Sequence, residues 1–148
     1  MPLFQKISDD LKTAMKAGDK PRVEVLRFTL APLNSALKEK QSKDPAATLT
    51  DDEVLVILQK EAKRRKESIA LFRQGNREDL ASKEEAEFVF IAGYLPAQMS
   101  REEVEKIINS LIAGGNNEFS TLMREASKVT KGKADGKLVA EIAKEKTG

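Results

Sequence analysis

The cations near the end of the chain are the residues whose spacing most clearly fits a chemical role. The group consists of Arg124, Lys128, Lys131, Lys133 and Lys137. The first two are four residues apart and would share one helix face, the next two fall on a glycine-bearing turn, and the last opens the following helix. Only two carboxylates, Glu125 and Asp135, lie among them, so the local field should be positive. Because outward N–H groups and the helix dipole attract phosphate at a helix N-terminus, these five residues form a candidate site for the phosphates of a nucleic-acid backbone.

The run Gly132 to Leu138 inside this cluster has the look of a phosphate-binding loop of nucleotide hydrolases, but it does not satisfy that motif. The spacing between its glycines is one residue short, Leu138 stands where Ser or Thr is needed, and no strand precedes it. We interpret the run as a turn between two helices. The alternative to phosphate binding stays open here: the glycines would serve only the turn and the lysines only solubility.

Catalytic and metal-binding residues are harder to find. The chain contains no cysteine and no histidine, which removes thiolate chemistry and the usual zinc ligands. A Ser-Lys pair stays open as a nucleophile, but no serine is singled out. Glu84, Glu85 and Glu87 form an acidic group that is more typical of a solvated helix face than of a catalytic site. We therefore predict no catalytic residue, no metal site and no cofactor, and we expect hydrolysis of neither glutamine nor ATP.

A second basic group lies in the middle of the chain. It consists of Lys60, Lys63, Arg64, Arg65 and Lys66. A nucleic-acid contact is one interpretation, and a solvated helix face balanced by Glu61 and Glu67 is the other. We favour the solvated face, since exposed charge is what an amphipathic helix needs in any case.

Apolar residues at three- and four-residue spacing predict helices throughout, and an all-α fold. Gly18 should end the first helix and Asp19 should cap the second, in which Pro32 should cause a kink or break unless packing compensates. The segment Gln41 to Leu49 has no periodicity and is the best candidate for a mobile loop. Thr50 and Ser100, each followed three residues later by glutamate, predict capping boxes that begin new helices.

The stretch from Ile69 to Ser100 should join two helical regions. Gly75 is expected to end one helix in left-handed geometry, Asn76 to cap the next, and Tyr94-Leu95-Pro96 to close it. We thus predict an N-terminal helical hairpin or bundle region over 1–94 and a small three-helix domain over 95–148.

Length and composition bound the class of protein. The chain has 148 residues, 40% apolar and 34% charged, with a net charge of +2, which fits a helix-rich soluble protein with one core or two small ones. No apolar run approaches the roughly 20 residues that span a bilayer. The N-terminal sequence has neither the pattern of a secretory signal nor that of a transit peptide, so we expect a cytoplasmic protein that makes no membrane contact.

The run FRQGNREDLASKEEAE, followed by YLPAQMS and later by KGKADGKLV, resembles the YqeY-like family. The C-terminal part of that family is similar to the tail domain of the GatB subunit of glutamyl/aspartyl-tRNA amidotransferase. The likeness covers nearly the whole chain and departs at Pro32 and at the loop Ser42 to Thr48. It implies contact with tRNA through the tail, and it implies carbon-nitrogen ligase chemistry with glutamine as amide donor. With this resemblance, the five cations become our candidate RNA-binding site: Arg124, Lys128, Lys131, Lys133 and Lys137.

These observations lead to one functional prediction and one alternative. We predict a tRNA-binding accessory module without a catalytic site of its own, whose partners are tRNA and a tRNA-charging or amidotransferase protein. The alternative is a protein-interaction adaptor that uses its charged amphipathic helices. Salt dependence separates the two, because binding through lysines weakens steeply as salt rises and an apolar helix contact does not.

Overall fold

A computed structural model describes residues 1–148, and it confirms the all-α class. Seven helices and no strand are present: α1 Leu3–Ala17, α2 Lys20–Lys43, α3 Asp51–Gln74, α4 Glu78–Ala92, α5 Arg101–Ala113, α6 Phe119–Thr130 and α7 Gly136–Thr147. They divide into two compact units, Met1–Tyr94 with α1 to α4 and Leu95–Gly148 with α5 to α7. Whether each unit folds as an independent domain stays a prediction.

The first unit pairs α1 with α2 and α3 with α4, and α2 and α3 also pack together. Its core is aliphatic and includes Ile7, Leu26, Leu33, Val54, Leu58 and Ile91, all fully buried. The expected caps are present: Gly18 has left-handed geometry, and the Asp19 carboxylate accepts from the N–H of Arg22. Because the chain reverses at these two residues, the apolar faces of α1 and α2 can meet.

Pro32 lies inside α2 without breaking the helix. It has no N–H to offer the Phe28 carbonyl, which is the usual cost of an internal proline. On the neighbouring turn the Thr29 hydroxyl donates to the Val25 carbonyl at 2.8 Å. Leu30 and Leu33, on either side of the proline, are buried in the core. The expected break is therefore absent, because packing on both sides of Pro32 compensates for the lost hydrogen bond.

The connection between α2 and α3 is shorter and better anchored than the sequence predicts. Placing its start at Gln41 was wrong, since α2 continues to Lys43. Ala47 and Leu49 are buried, so the 44–50 segment contributes to the core. The Lys40 ammonium donates to the Glu53 carboxylate at 2.6 Å and to the Thr48 carbonyl at 2.7 Å. Together with the N–H and hydroxyl of Thr50, which completes the predicted capping box, Lys40 lowers the pKa of Glu53 to about 2.

The turn between α3 and α4 differs from the prediction in which residue takes the left-handed conformation. Gly75 has φ of −85°, and Asn76 takes the positive φ of 57° instead. The N–H of Arg77 donates to the Phe72 carbonyl at 2.8 Å and that of Asn76 to the Arg73 carbonyl at 3.1 Å. These two bonds form a Schellman motif in which Asn76 is the left-handed residue, a conformation that asparagine tolerates better than most side chains. Asn76 therefore ends α3, and Arg77 precedes α4 without a side-chain cap.

The second unit packs its three helices around one small core. The buried members are Val104, Ile108, Leu122, Ala126, Ala134, Val139, Ile142 and Ala143. Ser100 begins α5 by accepting from the N–H of Glu103, and Asp135 begins α7 by accepting from the N–H of Lys137. Phe119 and Val129, which continue the apolar spacing of α6, are exposed. They lie at the two ends of α6, where the neighbouring helices do not cover them.

Candidate nucleic-acid interface

The turn between α6 and α7 carries two of the predicted RNA-binding cations, Lys131 and Lys133, and Lys137 follows in the first turn of α7. α6 ends at Thr130, and the Thr130 carbonyl accepts from the N–H of Lys133 at 2.8 Å and from that of Ala134 at 3.0 Å. Gly132 takes a positive φ of 75°, a conformation that glycine adopts without steric cost. Ala134 then enters the core of the unit. This geometry buries the middle of the turn and leaves the side chains of Lys131 and Lys133 on the surface.

The segment before α5 holds this turn from its other side. The N–H of Met99 donates to the Lys133 carbonyl at 2.7 Å, and the side-chain amide of Gln98 donates to the Gly132 carbonyl at 3.0 Å. The backbone of the turn is thus bonded both to the end of α6 and to residues more than thirty positions earlier in the chain. We name Lys131 to Lys137 the basic turn. Sequence reasoning missed Gln98 and Met99, since nothing in their local pattern points to a residue so distant in sequence.

Lys137 lies in the first turn of α7, beside exposed Gly136. The Asp135 carboxylate accepts from the N–H of Lys137 at 3.2 Å, which makes Asp135 the N-cap of α7. This carboxylate is the one negative side chain within the basic turn, and as the N-cap it faces the N–H groups of the first turn of α7. The positive end of the α7 dipole therefore lies at Lys137, and Lys131 and Lys133 are on the turn that precedes it.

The other two predicted cations lie on α6. Arg124 and Lys128 are both exposed and are one helical turn apart, so they share the outer face as expected. The Lys128 ammonium contacts the Glu125 carboxylate at 3.1 Å, which reduces the charge that it offers to a ligand. Lys128 also lies in the last turn of α6, where a cation stabilises the helix dipole. It therefore has a structural role whether or not it contacts RNA.

In the middle basic group, Lys60 to Lys66, the structure gives Arg65 a different environment from the one predicted. Arg65 was predicted to lie on a solvated face, and that is wrong: its side chain is 13% exposed and bonds to Glu84 at 3.0 Å and to Glu87. Glu87 is only 8% exposed and Glu84 is 26% exposed, so two members of the predicted solvated acidic group lie between α3 and α4. The Nε of Arg65 is buried without a hydrogen-bond partner. These charges are part of the helix packing and are not available to a ligand.

Tyr94 closes the first unit at the end of α4. Its hydroxyl donates to the Asp10 carboxylate at 2.5 Å, which ties the end of α4 to α1. Its ring meets Phe90 edge to face at 5.7 Å between centroids, and the Arg22 guanidinium lies 5.4 Å from the Phe90 centroid. Burial, and next the bond to Asp10, raise the pKa of Tyr94 well above its ordinary value of 10.0. Tyr94 therefore remains a neutral hydrogen-bond donor over the physiological pH range.

Two further structural findings bear on function. Nowhere do three or more carboxylates come close enough together to hold a metal ion. None of the seven helices has both the length and the apolar character needed to cross a bilayer.

The fold and the basic turn define a class: an all-α protein whose final three-helix unit presents lysines at a helix N-terminus. Residues 4–147 match the family described as Yqey-like protein, so the chain belongs to the YqeY-like family and the predicted resemblance is confirmed.

Curated relatives from fungi are similar over much of the chain. Altered inheritance of mitochondria protein 41 of Pyrenophora tritici-repentis is 29% identical over 153 residues, covering 99% of this chain and 81% of the relative. The protein of the same name from Vanderwaltozyma polyspora is 38% identical over 112 residues, covering 71% of this chain and 58% of the relative. An uncharacterized protein of Schizosaccharomyces pombe is 33% identical over 94 residues, covering 64% of this chain and 72% of the relative.

Proposed function

We propose that this protein is a tRNA-binding accessory module and that the basic turn is its RNA contact. One observation carries the proposal: Lys131, Lys133 and Lys137 are exposed on a backbone that is fixed at Gly132 and at Lys133 by residues distant in sequence. A fixed backbone lowers the entropy lost when flexible lysines bind, because only their side chains need to be ordered. Exposed lysines that serve solubility alone do not need such an anchor.

The chemistry of this surface suits phosphate and not bases. Lysine ammonium groups act as point charges that neutralise phosphates without reading sequence. The basic turn presents no aromatic side chain on which a base could stack. Discrimination among RNAs would therefore come from the spacing of phosphates in a folded RNA, or from a second protein bound at the same time. A structured RNA such as tRNA fits this mode better than a flexible single strand.

The family supports an accessory role. As noted above, the C-terminal part of the YqeY-like family is similar to the tail of the amidotransferase subunit GatB, which is implicated in contacting tRNA. Ammonia release and carboxylate activation would then belong to other proteins, since this chain has no cysteine and no histidine. An amidotransferase or a tRNA-charging enzyme is the partner that we propose.

The test compares two triple variants in the full-length protein. Lys131, Lys133 and Lys137 are changed together to Ala, and the matched control changes Lys106, Lys144 and Lys146, which are exposed lysines of the same unit. Binding to a tRNA pool is measured by fluorescence anisotropy over a range of salt concentrations. The basic-turn variant should bind more weakly and flatten the slope of log affinity against log salt by about 2 to 3 units, as expected for three lost phosphate contacts.

The control variant has the same net charge as the basic-turn variant and should keep most of the wild-type affinity and slope. Equal losses in the two variants would mean that only net charge matters, and unchanged binding in both would support the adaptor function instead.

For the compartment we propose the cytoplasm, as the sequence predicts. The two relatives named as mitochondrial proteins make the mitochondrion the alternative, and microscopy of the tagged full-length protein distinguishes the two.

A further inference from the structure

An open apolar groove lies between the end of α1 and the first turns of α2, in the unit that does not contain the basic turn. Its volume is about 610 Å³, and its apolar lining comes from Met15, Val23 and Phe28. Met15 is 52% exposed and Phe28 is 51% exposed, so both leave about half of a large apolar side chain in water. Single exposed apolar residues are ordinary, but these two line the same concave surface, and such grouping marks interaction sites.

Phe28 is on the groove because of its position in the helical repeat. The buried residues Leu26, Leu30 and Leu33 define the inner face of α2. Phe28 follows Leu26 by two residues, a rotation of about 200° that directs it away from the core. A phenylalanine there leaves about half of its side chain exposed outside the core. Its contribution is therefore to the outer surface of the protein.

The charges around the groove are mostly positive. Lys20 and Arg27 line it, together with a single carboxylate, Glu24. Glu24 faces a cation of its own, since the Lys83 ammonium lies 3.9 Å away. The rim therefore offers two cations to an incoming ligand and one carboxylate that already has an opposite charge beside it. A second copy of this chain would bring like charges together, whereas an acidic partner would neutralise them.

We propose that this groove docks an acidic amphipathic helix of a partner protein. Apolar side chains of that helix, repeating at three- and four-residue spacing, would contact Met15, Val23 and Phe28, and glutamate or aspartate beside them would pair with Lys20 and Arg27. The groove volume of about 610 Å³ lies within the range of about 300 to 1,000 Å³ that is typical of binding pockets, which leaves room for a few side chains. Binding of an RNA here is disfavoured, because bases need aromatic side chains on which to stack and the groove has only one, Phe28.

This inference is independent of the proposed RNA contact. The groove belongs to the Met1–Tyr94 unit and the basic turn to the Leu95–Gly148 unit. Loss of one binding activity should therefore leave the other intact. If the basic turn did not bind tRNA, the docking of an acidic helix would still be tested on its own residues.

The test uses the full-length protein labelled with ¹⁵N and ¹³C and three short synthetic peptides. The first peptide has leucines at three- and four-residue spacing and glutamates on its other positions. The second has the same composition in scrambled order, and the third keeps the leucines but carries lysine in place of glutamate. Binding is followed by NMR chemical shifts and quantified by calorimetry. Only the first peptide should bind saturably, with shifts centred on Met15, Val23 and Phe28.

Substitutions then assign the binding to the groove. Phe28→Ala should weaken binding about tenfold or more, as for a central aromatic contact, whereas Leu71→Ala, a matched change of an exposed apolar residue on α3, should not. Arg27→Glu should weaken it also, and Lys106→Glu, an exposed control on α5, should leave it unchanged. The proposal is overturned if the acidic peptide does not bind or if the scrambled peptide binds equally well. It is overturned as well if tRNA, or a rise in protein concentration alone, moves the same signals.

Discussion

Replacing Arg65 with Met should destabilise the first unit far more than replacing its neighbour Arg64. Arg65→Met removes the cation from two carboxylates, of which Glu87 is only 8% exposed and cannot return to water without opening the α3–α4 interface. Loss of one partner from a buried ion pair costs about 3 to 5 kcal/mol. Because Glu84 is 26% exposed and can be rehydrated, we expect the low end, about 3 kcal/mol.

The assay is urea unfolding followed by tyrosine fluorescence. Tyr94 is the only tyrosine and the chain has no tryptophan, so this emission reports on the first unit. Arg64→Met is the control, because Arg64 is 72% exposed and its ion pair with Glu61 should contribute less than about 1 kcal/mol. Equal effects of the two substitutions would refute the assignment of Arg65 as a buried ion-pair partner.

A double variant tests the reason for the loss. Arg65→Met combined with Glu87→Leu removes both buried charges and also removes the unpartnered Nε of Arg65. Apolar pairs of similar volume often replace buried ion pairs at little cost, so the double variant should return to within about 1 kcal/mol of wild type. If the double variant were less stable than Arg65→Met alone, an uncompensated Glu87 charge could not be the cause of the loss.

Two further predictions follow from single contacts, and a third follows from the division into two units. Tyr94→Phe should lower the free energy of unfolding by about 1 to 2 kcal/mol, measured by circular dichroism in urea, because it removes a hydrogen bond to the charged Asp10; an unchanged midpoint would contradict this. The pKa of Glu53 is lowered from 4.5 to about 2, so its ionised form adds stability above pH 4.5 that is lost as pH falls towards 2. Glu53→Gln should lack this component of the acid-unfolding curve, and identical curves would refute it. Limited proteolysis of the full chain should cut within 95–99 before 44–50, and first cleavage within 44–50 would count against two separately folding units.

Local sequence signals predicted the helices and most of their ends correctly. The helix ends at Gly18, Asp19 and Thr50 were predictable, because capping depends on residues within about four positions. The 75–76 turn was misassigned because glycine and asparagine both tolerate a positive φ, and the pattern does not say which of two neighbours takes it. Periodicity alone could not show that the ends of α6 are uncovered, so the exposure of Phe119 and Val129 is visible only in the structure.

Contacts between residues distant in sequence were the part that could not be predicted. A run of charges such as Lys60 to Glu67 looks alike whether a residue faces water or another helix, so the burial of Arg65 is visible only when α4 is packed beside it. The bonds from Gln98 and Met99 to the basic turn are of the same kind. By contrast, the five cations of the candidate site could be grouped from the sequence, because they lie within fourteen consecutive residues, and their contact with RNA stays a prediction.

The central claim, that the basic turn is the RNA contact, is tested most directly by mapping tRNA onto the full-length protein by NMR. Spectra of the ¹⁵N-labelled chain are recorded with increasing tRNA at low salt and again at high salt. The account predicts that amide signals of Lys131, Gly132, Lys133 and Lys137 shift or broaden first and recover as salt rises. Unchanged signals in the basic turn, with perturbation confined to the first unit or to no residue at all, would contradict it.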